Sequence, residues 1–503
     1  MARSRKGPSR TRRASKPKPT FRGRVPADVV DQLLYRFVAL VKQGLELMLR
    51  APSALARDEF DRHPEWVYAP TDIPILVAWT ARGAYEMAWP DFCQHVLGHP
   101  DWQALLGVQT QADLDALAAG FEQVRMRCIE LAIHDALKEG DKRDTRPADQ
   151  RPAVQDEFAQ FIGASQALQL LKKRLRPLLE RLDAQDPPRP PHRPRDYRTR
   201  SFLLAAPRVL RWLVHLDSTD ELIRKLQQHP HLAGAVNLVP GQIPSKATFS
   251  RRRMAIPLED LQAILHELVH VLTQMRVMDG RAWALDLTRL PTHSSVCKEY
   301  PNSPNGKSDP EAAFCGYADN DGGLQFGYSV LFIIDFKTEL PFAVVFTGGS
   351  AQDSPCIKPL LDQAITQHPD LAERCQFVLG DGGYDTLAFF EYILNRLRAL
   401  PAATKNPRNA ADPHADLATD AFCVLRRPSP WHKALFRSRT AVERTNSRIK
   451  LIFNLKYHKN RGWNAVQHCA LFAVIAMLGA AWVAVETGHP DKLRSARTWI
   501  SLN

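Results

Sequence analysis

The apolar pattern of this chain changes period once, near Arg281, and that change limits the folds open to it. Before it, apolar residues recur at helical spacing. After it, short apolar runs of strand length alternate with helical stretches. Helical periodicity runs through 29–49, 73–89, 114–137 and 158–182, and a second helical block spans 202–278. Between the blocks, residues 183–200 (DAQDPPRPPHRPRDYRTR) are dense in Pro and Arg, which predicts an extended linker. Beyond Arg281, residues 282–287, 327–334 and 341–346 read as strands, the last two joined across Asp335-Phe-Lys-Thr-Glu339. A helix at 357–366, a strand at 375–379, a helix at 387–397 and a strand at 400–404 follow. A polar loop then runs to about residue 435, and helices at 439–453 and 465–485 close the unit. The order β-β-β-α-β-α-β-α predicts a mixed α/β layer fold. The expected organisation is a helical unit at 26–182, the linker, a helical segment at 201–278, the α/β unit at 279–488, and a C-terminal tail at 489–503.

Composition narrows the class. The chain has 503 residues, 45% of them hydrophobic and 24% charged, as in globular proteins that bury a core. Its net charge of +13 is uneven, because residues 1–24 hold ten Lys or Arg and no acid. Such a segment cannot bury apolar surface, so a disordered basic tail over 1–25 is expected, either solubilising or phosphate-binding. The eight cysteines form no CxxC pair and read as reduced thiols of a cytosolic protein. No apolar stretch follows the basic N-terminus, so no secretory signal is expected. The apolar run 469–485 is rich in Ala, contains Gly479 and reads as a buried core helix; no membrane association is expected.

Three acids stand where a metal-dependent phosphoryl transfer would need them. Mg²⁺ selects hard oxygen ligands, and two ions about 4 Å apart can serve the attacking and leaving oxygens. Asp286 lies inside the apolar strand Trp-Ala-Leu-Asp-Leu-Thr, where a carboxylate is costly unless it meets a cation or strong hydrogen bonds. Asp381 ends a strand between glycines that let the backbone turn closely around a ligand. Glu443 shares one helical face, within about 60°, with Arg439, Asn446 and Lys450. That face offers an acid for metal and two cations for phosphate.

The spacing Phe436-x2-Arg439-x3-Glu443-x6-Lys450 resembles, at three of four positions, the Tyr-Arg-Glu-Lys signature of DDE transposases from bacterial insertion sequences. Phe436 departs from it by lacking the hydroxyl. The segments Gly380-Asp-Gly-Gly-Tyr-Asp385, Leu285-Asp-Leu-Thr288 and Ala247-Thr-Phe-Ser-Arg-Arg252 also resemble the family, which the likeness covers over roughly 200–485. The resemblance implies a ribonuclease-H-like catalytic domain with Asp286, Asp381 and Glu443 as catalytic and metal-binding triad. It further implies two Mg²⁺ or Mn²⁺ ions, and double-stranded DNA (transposon ends and target) as partner. Contacts to that DNA would come from Tyr384, Arg439, Asn446 and Lys450, with Lys405 and Arg408 after the fifth strand as candidates for the same role. A homodimer is expected from the need to pair two DNA ends, and a cytoplasmic, nucleoid-associated location from the substrate. Asp335, at the turn after the second strand, is the alternative first acid, but it falls at the opposite end of the layer.

Two other classes fit parts of the sequence. His266-Glu-Leu-Val-His270 matches the HExxH zinc-peptidase pattern, with Asp286, His293 or Glu299 as a third ligand. The basic tail and helical blocks also suit a DNA-binding protein without catalysis, left by a decayed element.

Overall fold

The computed structural model describes residues 25–138, 162–184, 209–294, 309, 311–318, 324–349, 353–406, 420, 422–425, 427, 429–437, 439–453, 455, 460–494 and 500–501, except 212, 214, 215, 217, 237 and 240. The basic tail, residues 185–200 of the linker, and Arg408 lie outside the described residues.

The first part is helical. α1 (Ala27–Arg50) buries Leu34, Phe37, Val38, Val41 and Leu45 along one face, against α2 (Ile73–Tyr85) and α3 (Met126–Leu137). At Gly44 the backbones of α1 and α3 touch: a Cβ there would fall 1.8 Å from the carbonyl oxygen of Ala132. The helix expected over 73–89 stops at Tyr85, because Glu86 turns left-handed at φ 55°. The one expected over 114–137 is cut at Gly120 into Gln111–Ala119 and α3, with a short 3₁₀ turn between. α4 (Ala164–Ala184), α5 (Thr219–Gln228), α6 (Pro230–Ala235), α7 (Lys246–Met254) and α8 (Leu258–Gln274) follow. Ser218 and Ser245 cap α5 and α7 by accepting from the Glu221 and Thr248 amides.

The second part is built on a mixed sheet. Its strands are β1 (Ala282–Pro291), β2 (Ala313–Ala318), β3 (Leu324–Asp335), β4 (Leu340–Gly348), β5 (Phe377–Gly380) and β6 (Leu400–Ala403). The lateral order is β4-β3-β1-β5-β6, with β3 antiparallel to both β1 and β4, and β5 and β6 parallel to β1. β2 pairs antiparallel with the start of β3. It was not foreseen from the sequence, because Ala-Phe-Cys-Gly-Tyr-Ala is short, broken by a glycine and without clean alternation. α9 (Asp353–Gln367) lies between β4 and β5. After β6 come α10 (Pro430–Arg437), α11 (Thr440–Ser447) and α12 (Trp463–Glu486). α10 falls where a polar loop was expected; Pro430 at its first turn and the Ser429 hydroxyl, which accepts from the His432 amide, start it.

α12 is apolar on all sides and buried among α4, α8 and β4, as expected of a core helix rather than a membrane span. Leu171 of α4 packs on Gly479. Beside α4, Ile162 and Gly163 form a parallel two-residue pairing with Ile500 and Ser501.

Candidate active site

β1 sits at the centre of the sheet, and its residues 282–285 are fully buried. Asp286 is the first residue along it with access to solvent, its side chain 17% exposed. The β1–β5 register ends at Ala284 opposite Leu379. Two residues further along each chain come Asp286, still in β1, and Asp381, the first residue past the end of β5, so both lie at the same end of this strand pair. Asp381 keeps extended backbone and accepts from the Gly383 amide at 2.8 Å, capping a 3₁₀ turn. The glycine before it serves that turn rather than a ligand: a Cβ on Gly380 would fall 2.9 Å from the Tyr384 side chain.

α11 brings the third acid. Arg439, at its start, donates to Glu443 Oε1 at 2.6 Å, and its other guanidinium nitrogen lies 4.0 Å from Asp286 Oδ1. Asn446, one turn on from Glu443, donates to Asp286 Oδ2. Two side chains of one helix therefore hold the carboxylate of β1, and Arg439 stands between Asp286 and Glu443. Its guanidinium also lies over the Phe436 ring, 5.6 Å from the centroid. That contact needs a ring and no hydroxyl, which accounts physically for a Phe where the signature has Tyr.

The other expected DNA contacts fare differently. Tyr384 is fully buried against Phe389, with ring centroids 5.8 Å apart, so it packs the Asp381 turn instead of facing a DNA strand. Asn446 is 8% exposed and engaged with Asp286. Lys405 pairs with Asp420 at 3.0 Å. Lys450 lies on a π-helical turn, Arg448–Ile452, that continues α11; the wider turn breaks the 100° spacing on which its alignment with Glu443 was argued. Asp385 and Arg427 were missed by sequence reasoning. Both are buried, paired at 2.6 Å, and Asp385 also accepts from the Asn406 amide at 2.8 Å, tying the Asp381 turn to the end of β6. Arg427 gave no signal inside a loop read only as polar.

Asp335 is no rival to Asp286. It faces Trp283 in the register, is fully buried, and accepts from the Gly280 amide and from the amide and hydroxyl of Thr338. It fixes the β3–β4 turn, and burial pushes its carboxyl up despite those bonds. The HExxH residues do not converge either. His266 packs edge-on against His368 at 5.4 Å, His270 is exposed beside Gln274, and Glu267 lies 3.9 Å from Arg174.

The donor set of Asp286, Asp381 and Glu443 is all oxygen, which suits a hard divalent cation. In this arrangement no three His, Cys, Asp or Glu side chains among the described residues are gathered tightly enough to hold one ion. Arg439 supplies positive charge between two of the acids instead.

Residues 279–478 match the family model described as the transposase DDE domain. Over that stretch the chain is similar to transposase DDE domains. No curated protein and no solved structure matches the chain. The domain opens just ahead of β1 and closes within α12, so it contains all three acids. A DDE domain supports a transposase function in general terms, with DNA as the molecule acted on and divalent metal as the usual requirement of the family. The helical region before residue 279 lies outside the match.

Proposed function

We propose that this chain cuts and joins DNA at the ends of an insertion sequence, with Asp286, Asp381 and Glu443 as the metal-binding carboxylates of a ribonuclease-H-like domain. The observation that carries the reading is the meeting of three elements at one end of the sheet. Asp286 on β1 and Asp381 just past the end of the neighbouring β5 lie at the same end of the strand pair, and the helix bearing Glu443 reaches Asp286 through Arg439 and Asn446. The strand order, with three antiparallel strands followed by two parallel ones beside the first, supports the fold assignment.

Bound divalent ions, two Mg²⁺ or Mn²⁺, would activate the attacking oxygen and stabilise the leaving one. The chain's own part is to place and balance charge. Asn446 orients one oxygen of Asp286, leaving the other toward the gap occupied by Arg439. When Arg439 releases the carboxylates it becomes a cation available to a phosphate, held near the site by the Phe436 ring. Cleavage by water would leave a 3′-hydroxyl, which would attack target DNA in a second in-line transfer. Double-stranded DNA is the partner, and pairing of two ends calls for a dimer.

The test is cleavage of DNA carrying the element's terminal repeats, with Mg²⁺ or Mn²⁺, by wild type and by Asp286→Ala and Glu443→Ala. Metal-dependent cuts leaving 3′-hydroxyls, lost by at least about 10³-fold in either variant, are expected for groups that act as a unit. Cleavage that survives both substitutions would overturn the triad.

A further inference from the structure

α11 has a second charged face, directed away from Asp286. At 100° per residue Arg444 and Arg448 lie about 100–160° around the helix from Glu443 and Asn446. Both reach one carboxylate, Glu339, at the turn between β3 and β4. Arg444 donates to its Oε1 at 2.6 Å, and Arg448 to its Oε2 at 2.8 Å and to its carbonyl oxygen at 3.0 Å. The Thr445 hydroxyl between them donates to the same carbonyl at 2.9 Å. From the other side Lys138, just past the end of α3, donates to Glu339 Oε1 at 2.7 Å, and Arg494 lies 3.9 Å from it.

Glu339 is 3% exposed and has φ 56°, a left-handed conformation that a side-chain-bearing residue adopts only when its surroundings impose it. The Asp335 bonds that cap this turn are among those surroundings. Burial works to raise the Glu339 carboxyl, but Arg444, Lys138, Arg494 and Arg448 outweigh it and hold it at about 2. Lys138 is lowered as well, which for a base disfavours its charge: burial and then Arg494 bring it down to about 8 in spite of Glu339. The two directions agree once the stoichiometry is considered. Four cations share one carboxylate, so the acid is strongly held while each base is only partly compensated.

We propose that Glu339 is the positioning residue for the helix that carries Glu443. It grips α11 by two arginines and a threonine on the face behind the acids, so that Glu443 and Asn446 meet Asp286 on the face in front. Lys138 ties that grip to the helical region outside the DDE domain. The inference rests on the assignment of Asp286 and Glu443 as metal ligands, and the experiment separates the two claims.

Mn²⁺ alone, titrated into the full chain and followed by electron paramagnetic resonance, reports affinity at the acids without requiring turnover. Wild type, Asp286→Asn, Glu339→Gln and the pair Glu339→Gln/Lys138→Met are compared well below each thermal midpoint. The paired variant removes a buried cation along with the carboxylate's charge, and so offers a folded protein if the single substitution does not. Glu339→Gln or the pair should weaken Asp286-dependent Mn²⁺ binding by about 10- to 100-fold, as loss of a group that orients ligands does. DNA affinity should stay unchanged, as it would not if the protein were merely unfolding. Wild-type Mn²⁺ affinity in the folded variants would overturn the positioning role and leave the metal assignment intact. Absence of Asp286-dependent binding in the wild type would overturn both.

Discussion

Arg439 is the residue on which the site turns. It pairs with Glu443, reaches toward Asp286 and rests on Phe436, so under the proposed assignment it would compete with a divalent ion for the same two carboxylates. Arg439→Ala should therefore tighten Mn²⁺ binding in the absence of DNA by about tenfold or less, the range of a partly exposed ion pair, while slowing cleavage. Mn²⁺ titration checks it, and weaker binding in the variant would show that Arg439 assists the metal rather than replacing it. The three proposed acids stand out in the sequence because each violates its surroundings: a carboxylate inside an apolar strand, another between glycines, a third on a charged helical face. Tyr384 was misread for the converse reason. A ring beside a proposed ligand looks exposed in sequence, and only the approach of Gly380 reveals that it fills the turn's interior.

At the scale of elements, contacts between backbones are the least forgiving. Gly44→Ala should destabilise the α1–α3 pair by at least about 2 kcal/mol, because no rotamer relieves a Cβ against a carbonyl. Gly234→Ala, in α6 with open space around it, should be neutral or slightly stabilising. Thermal midpoints of the two variants test this, and equal shifts would contradict the packing. Strand positions β1, β3, β4, β5 and β6 were legible from apolar runs bounded by turn residues. Helix breaks at Glu86 and Gly120 were not, since apolar periodicity continues across both while the backbone does not. β2 and α10 escaped because β2 is short and interrupted by Gly316, and the apolar residues of α10 stand in a stretch dense in Pro and charged residues. The lateral order of the strands is set by contacts between residues far apart in the chain, and no local pattern encodes it.

Across the whole molecule, three histidines shielded from water, the half-buried His266 and the buried His368 and His432, set a response to acid. Burial lowers His266 to about 4, His368 to about 3 with His266 beside it, and His432 to about 4 with Arg427 beside it. All three are lowered in the folded state, so their neutral forms are favoured there. Above the unfolded value, about 6.5, neither state takes up these protons and stability is complete. As pH falls from there toward 4, the unfolded chain binds protons that the fold refuses, and stability drops by up to about 1.4 kcal/mol per pH unit for each histidine. The thermal midpoint should fall between pH 7 and pH 5, and less steeply in His266→Gln/His368→Gln. Identical slopes in the two proteins would remove these histidines from the account.

The pairing of Ile162 and Gly163 with Ile500 and Ser501 has a consequence in time. During synthesis the segment leading into α4 emerges long before its partners exist. At about 5–20 residues per second its wait runs to tens of seconds. Throughout that interval α4 also lacks α12, whose Gly479 receives Leu171. A nascent chain of this protein can therefore pack the amphipathic α4 against α6 and α8 first, but leaves the part of its apolar face that meets α12 uncovered until residues 463–486 have left the ribosome, and translation speed becomes one of the variables that decide how much of it reaches the native state.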